Sequence, residues 1–353
     1  MASWTSVDGS QPDPWVNRRL LIRGIAFGVL YGLFLRAYAF ILNRPNRVHW
    51  QWLLDIDIVM TVAFLIGGPL VIGILTTRRA EASDPGTVWR WILTPWLSVI
   101  LMMGVTALFA WEGAICIAMA LPIALVFGSI GGIIGGLASR NRRLSGVTTF
   151  CIAALPFLLG PAEGRLATAT QTRTVASEIR IHASSQTVWQ NIERVPAISI
   201  AELRTNWVQR IGFPRPVEAT LSYEGVGGVR HATFERGLTF IETVNVWDPE
   251  HRLAFGIKAD TAHIPPTTLD EHVTIGGRYF DVLDGEYRIE PLANGDILLH
   301  LTSHQRLSTD FNGYAGFWSD AVMQTLQTSI LEVIQHRCES SQQSTTKADS
   351  LRE

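Results

Sequence analysis

Among the nine His and 31 Asp and Glu of this 353-residue chain, His231, Glu235, Glu242 and His272 are the candidates for acid–base work. An imidazole or carboxylate turned toward a buried sheet face can move a proton or hold a ligand's polar end. On a solvated face the same side chain does neither. His231 and Glu235 share a face of one strand candidate, and Glu242 belongs to the next. A second concentration lies in GGRYFDVLDGEY, which carries Arg278, Tyr279, Asp281, Asp284 and Tyr287. Polar groups within an aromatic hairpin can fix a ligand's polar end in an apolar pocket; they can equally be cross-strand pairs. His300 and His304 would share a metal on a helix. Here DILLHLTSHQRL alternates like a strand, which sets them about 13 Å apart.

Other chemistries leave no trace. There is no nucleophile elbow and no phosphate-binding loop. Cys116, Cys151 and Cys338 form no CxxC or Cys/His cluster, so neither a metal nor a cofactor is expected. The basic residues are not clustered in the acidic half, which argues against nucleic acid as a partner.

The residues that could react must be positioned by two parts of the chain that differ in solvent. Residues 1–169 hold 13 Arg and no Lys against 8 acidic residues, and eight of the nine His lie beyond them. Residues 170–353 hold 16 basic against 23 acidic residues. The first part is apolar with a few arginines; the second is polar and acidic.

A helix crosses the hydrocarbon core in about 20 apolar residues. Segments 20–42, 56–76, 91–110 and 114–138 meet that length, and 144–160, which contains Pro156, is at the short limit. The expectation is a membrane bundle of four or five helices over residues 20–160, preceded by a cytoplasmic segment, 1–19. Arg36 directly precedes Ala37-Tyr38-Ala39, which resembles a small-x-small cleavage pattern, and the apolar run is longer than a usual h-region; both argue against cleavage as a signal peptide. Arginines before the first segment, between the second and third, and after the fourth place those loops in the cytoplasm of an inner or plasma membrane. If 144–160 spans, the C-terminal half is extracytoplasmic (periplasmic in a two-membrane bacterium); otherwise it is cytoplasmic. Gly128, Gly132 and Gly136 recur at i+4 inside the fourth segment, a spacing that lets a helix of the same bundle or of a second copy approach closely. Arg23 and Arg36 lie within two turns of an end of the first segment, close enough to snorkel to the headgroups.

After a small polar linker, 161–171, the pattern changes to alternation. Residues 173–183 read as a half-buried strand, and Ser184 and Ser185 offer an N-cap to a short helix with Val188, Trp189 and Ile192. Further strand candidates are 218–224, 229–236, 238–247, 252–258, 272–280, 285–291 and 296–307, separated by Gly, Pro and Asn-Gly turn signals. Tyr314, Phe317, Trp318, Ala321, Val322, Leu326, Ile330, Val333 and Ile334 then repeat at spacings of three and four, the stripe of a long amphipathic helix. From Ser340 the sequence is polar and reads as a disordered tail, 340–353.

This order of elements resembles the START-like, or SRPBCC (polyketide cyclase/dehydrase-like), superfamily with its α+β helix-grip fold, a curved antiparallel sheet on a long C-terminal helix. The residues that carry the likeness are IRIHASSQTVWQNIERVPAI at 179–198, GGRYFDVLDGEYRIEPLANGDILLHLTSHQRL at 276–307 and GYAGFWSDAVMQTLQTSILEVIQHR at 313–337. It covers residues 172–339 and is one of architecture; the membrane region resembles no family. The resemblance implies a cavity for an apolar small molecule or lipid, with Arg278, Tyr279, Asp281, Tyr287 and Trp318 as the residues expected to meet it. Three readings follow: a membrane-anchored ligand-binding domain, a cyclase/dehydrase-type enzyme with an acid–base pair from His231, Glu235, Glu242 or His272, and a structural or regulatory membrane protein without a small ligand. The partners expected are the lipid bilayer, a hydrophobic ligand, and a second copy through the glycine stripe.

Overall fold

The structure, a computed structural model, describes residues 14–42, 58–80, 87–140, 145–166, 168–260 and 274–349. The chain forms two compact units, one of apolar helices and one of mixed α and β structure that comprises Glu112–Cys116 and the chain from Thr168.

The helical unit comprises α1 (Pro14–Leu42), α2 (Ala63–Ala80), α3 (Val88–Leu108), α4 (Ala114–Arg140) and α5 (Gly146–Glu163), all long and apolar enough to cross a membrane. The second span thus starts at Ala63; residues 56 and 57 lie outside the described residues. Its first turn, Ala63–Gly67, is π-helical. Pro69 has no N–H to give to the turn before it, so the ladder changes register there. Bulky residues such as Leu30, Phe34, Phe150 and Leu158 point outward, as side chains in contact with acyl chains do.

Small residues hold the helices together. A Cβ added at Gly132 would stand 1.9 Å from the Trp91 carbonyl oxygen of α3, and one at Gly73 of α2 would stand 2.1 Å from the Gly128 carbonyl oxygen of α4. Gly128, Gly132 and Gly136 are therefore spent on α2 and α3 of their own chain. They are buried against helices of the same bundle.

The marginal fifth segment lies along α2 and α1. At one end Arg78 Nη1 donates to the Ser145 carbonyl (3.1 Å). At the other, the Glu163 carboxylate accepts from Val62 N (3.0 Å) and Ala63 N (2.9 Å), capping α2 from outside its own sequence. Between them the hydroxyls of Tyr31 and Tyr38 donate to the carbonyls of Ala153 and Phe157. A helix of 18 residues is about 27 Å long, and α5 uses all of it beside α2. Arg36 does not snorkel. It is buried, and Nη2 donates to the Trp111 carbonyl (2.6 Å), just past the end of α3 where carbonyls lack helical partners.

In the second unit, seven strands form one antiparallel sheet in the order β1-β7-β6-β5-β4-β3-β2. They are β1 (Gln171–Ile181), β2 (Pro216–Leu221), β3 (Val229–Phe234), β4 (Thr239–Asp248), β5 (Arg252–Asp260), β6 (Phe280–Pro291) and β7 (Ile297–Leu307). Two short helices, α6 (Ser185–Glu193) and α7 (Trp207–Arg210), link β1 to β2. The Ser184 hydroxyl caps α6 by accepting from Thr187 N (3.2 Å). A final helix, α8 (Asn312–Asp349), lies along β1: Ser177 Oγ donates to Gln327 Oε1 (2.8 Å) and Gln335 Nε2 to the Arg180 carbonyl (2.7 Å). Ile181, Leu253, Leu299, Leu331 and Ile334 meet in the core between sheet and helices.

Two expectations change. The described part of segment 272–280 is a turn with Gly276 at φ +78°, which only an isolated bridge from Ile275 to Phe280 joins to the sheet. The strand starts at Phe280 instead. The last helix also runs past Ser340 to Asp349, because no Gly or Pro stands in SSQQSTTKAD to stop it.

Candidate functional site

Alternation decides which polar residues face inward. In β3, Arg230 shares parity with Ala232 and Phe234, whereas His231 falls on the other face and is exposed. In β4, Glu242 shares parity with Phe240 and Val244. The two strands pair with Arg230 directly opposite Glu242, so two charges meet on the buried face. Arg230 is 3% exposed, Glu242 7% and Tyr287 of β6 3%.

Arg230 Nη1 donates to Glu242 Oε2 in a short ion pair, and the Tyr287 phenol lies close enough to interact with the same guanidinium. The Arg230 Cζ lies 5.5 Å from the centre of the Phe255 ring, itself 6.2 Å from the Tyr287 ring. Gly285, opposite Phe255 in register, makes room for that ring: a Cβ there would stand 2.7 Å from Phe255 Cε2. Burial raises the Glu242 carboxyl against the pull of Arg230, and burial likewise raises the Tyr287 phenol. One donor is unused: Arg230 Nε is buried without a hydrogen-bond partner. A buried donor left in that state costs about 1–3 kcal/mol, a cost that an incoming oxygen atom would remove.

A second polar group lies where β1 and β7 meet α8. Arg173 Nε donates to Asp320 Oδ1 (2.9 Å), and Gln305 Nε2 donates to the same oxygen (2.8 Å). Gln305 is fully buried, and its Oε1 has no partner; nor does Nε1 of Trp318 on α8.

The remaining expected residues are spread out. Glu235 is exposed in a turn where Arg236 adopts φ +60°, and its Oε2 accepts from Arg215 N (3.3 Å). His272 lies outside the described residues. Arg278 is exposed with its Cζ 5.5 Å from the Tyr279 ring centre, and Tyr279 is buried. Asp281 is half-buried at the start of β6, opposite Arg306 in register. Trp318 packs against Trp207, Tyr314 and Phe317. His300 and His304 share the outer face of β7, each with its own carboxylates: Glu290 (3.0 Å) and Glu178 (3.3 Å) for the first, Asp284 (2.6 Å) for the second.

Of the expected residues, then, Glu242 and Tyr287 come together, and they do so on Arg230, which sequence reasoning passed over. The signal was present: an arginine and a glutamate each occupying the apolar parity of a strand.

A curled seven-stranded antiparallel sheet gripping a long terminal helix is the helix-grip architecture. Solved structures similar to the C-terminal half include a START superfamily protein from Mycobacterium smegmatis (11% identity, 47% of this chain and 97% of that chain, TM-score 0.31). Two others are a truncated norcoclaurine synthase from Thalictrum flavum (12%, 48% and 95%, TM-score 0.30) and a conserved protein from Geobacillus kaustophilus (12%, 48% and 97%, TM-score 0.31). No family model and no curated protein matches the chain.

Proposed function

We propose that the C-terminal unit binds an apolar molecule carrying a neutral oxygen, a hydroxyl or carbonyl, and that five membrane-spanning helices hold it beside the bilayer. The observation that carries this reading is the unused N–H of Arg230 on the buried sheet face. Arg230 and Glu242 already cancel in charge. A carboxylate or phosphate brought against them would leave a net negative charge without water, which is costly. A hydroxyl or carbonyl oxygen accepts the Nε–H and adds no charge. Binding is favoured over acid–base catalysis because the Glu242 carboxylate is committed to Arg230.

The unit stands outside the cytoplasm in this reading. Arg18 and Arg19, Arg78, Arg79 and Arg90, and Arg140 mark one side of the bundle, and α5, which runs the length of α2, carries the chain to the other.

Native mass spectrometry of the full chain released from membranes tests the ligand. The expected result is a co-released neutral, oxygen-bearing apolar molecule. Release of no neutral apolar molecule would overturn the reading.

A further inference from the structure

The beginning of α8 carries aromatic side chains that reach the surface of the unit. Phe317 is 66% exposed and Trp207 of α7 is 37% exposed. Their ring centres lie 5.8 and 6.1 Å from that of Trp318, and Tyr314 lies 6.4 Å from the same ring. Arg204 and Arg210, three residues to either side of Trp207, are exposed as well; the exposed acid on this stretch of chain is Asp310.

The place of this set in the fold matters as much as its composition. Asn312 Nδ2 donates to the Ala169 carbonyl (2.7 Å), the Thr170 and Ser308 hydroxyls are 3.2 Å apart, and Gln171 pairs with Leu307. The aromatic set therefore sits at the end of the unit where the chain enters. From Glu163, the last residue of α5, to Gln171, the first of β1, the intervening residues can stretch no further than about 25 Å. A surface at the tethered end stays within reach of the lipid headgroups. Trp and Tyr favour that level because their rings are apolar and their tips polar, and exposed arginines are drawn to anionic lipid.

We propose that Trp207, Tyr314 and Phe317 seat in the headgroup layer of the bilayer, with Arg204 and Arg210 against anionic lipid, as a second membrane contact beyond the spanning helices. The proposal rests on the membrane reading and is independent of whether Arg230 binds a ligand.

The full chain in nanodiscs of phosphatidylcholine and phosphatidylglycerol, with a fraction of the phosphatidylcholine bearing a diazirine near the top of an acyl chain, provides the test. After irradiation, peptide mass spectrometry should find lipid adducts on Trp207 and on Tyr314 or Phe317, with adducts on α1–α5 as the internal control. Phe317→Asp, at an exposed position, should abolish the adducts on the start of α8 and leave those on α1–α5 unchanged. Adducts confined to α1–α5, or found in the C-terminal unit only at buried positions such as Phe255, would overturn the proposal; the latter pattern would instead report lipid held inside the unit.

Discussion

Arg230 and Glu242 oppose each other on adjacent strands with almost no exposure, and that arrangement has consequences for stability as well as for binding. Removing one partner of a buried pair strands the other charge, at about 3–5 kcal/mol, whereas replacing both with apolar residues of similar volume is close to neutral. Arg230→Met alone should therefore lower the thermal midpoint of the C-terminal unit strongly, and Arg230→Met with Glu242→Leu should restore most of it. Near-ultraviolet circular dichroism of the full chain in detergent reads both. A single variant as stable as wild type would mean the pair is not buried as described.

Acid sensitivity also originates in single residues. Arg337 holds the Glu202 carboxyl down from 4.5 to about 2, with Ser199 helping and partial burial opposing. A carboxyl depressed in the folded state contributes stability above its unfolded value and loses it as pH falls toward the folded value. The contribution is thus complete above pH 4.5 and disappears between there and about 2. Glu202→Gln should be less stable than wild type near pH about 6, and the difference should shrink progressively below pH about 4. Parallel melting curves across that range would rule out this clamp between α8 and the loop after α6.

At the scale of elements, much was readable because a single buried face imposes a period. The alternation of β7 and the three-four spacing in α8 are both direct consequences of burying one side. The site was less readable for the same reason. A charged residue in a strand reads as outward by default, so His231 drew attention and its neighbour Arg230 did not. Only the pairing of β3 with β4 shows that Arg230 is answered by Glu242. Segment 272–280 has the composition of a strand, but within its described part, 274–280, Gly276 turns the chain. Glu163 capping α2 from across the bundle likewise leaves no mark in local sequence.

The glycine seam gives the element-level prediction. Gly132→Ala would drive a methyl group into the Trp91 carbonyl and should lower the melting temperature of the helical unit sharply. Gly104, inside α3, has open space where a Cβ would go, and Gly104→Ala should gain about 0.5–1 kcal/mol from reduced chain entropy. Equal effects at the two positions would contradict the packing of α4 on α3.

For the molecule as a whole, the outcome depends on α5. Because it is hydrogen-bonded to α2 at both ends, the chain should emerge on the side opposite its N-terminus. An alkaline phosphatase fusion after residue 170 is expected to be active and a green fluorescent protein fusion dark; the reverse would place the C-terminal unit in the cytoplasm.

The proposed function turns on a neutral oxygen of an apolar ligand meeting Arg230 beside the membrane. The most direct measurement compares native mass spectra of the wild-type full chain and the Arg230→Met/Glu242→Leu double variant, both released from the same membranes. The expected result is a neutral apolar molecule on the wild type and its loss from a double variant that remains folded. The same molecule retained at equal occupancy on the double variant would contradict it.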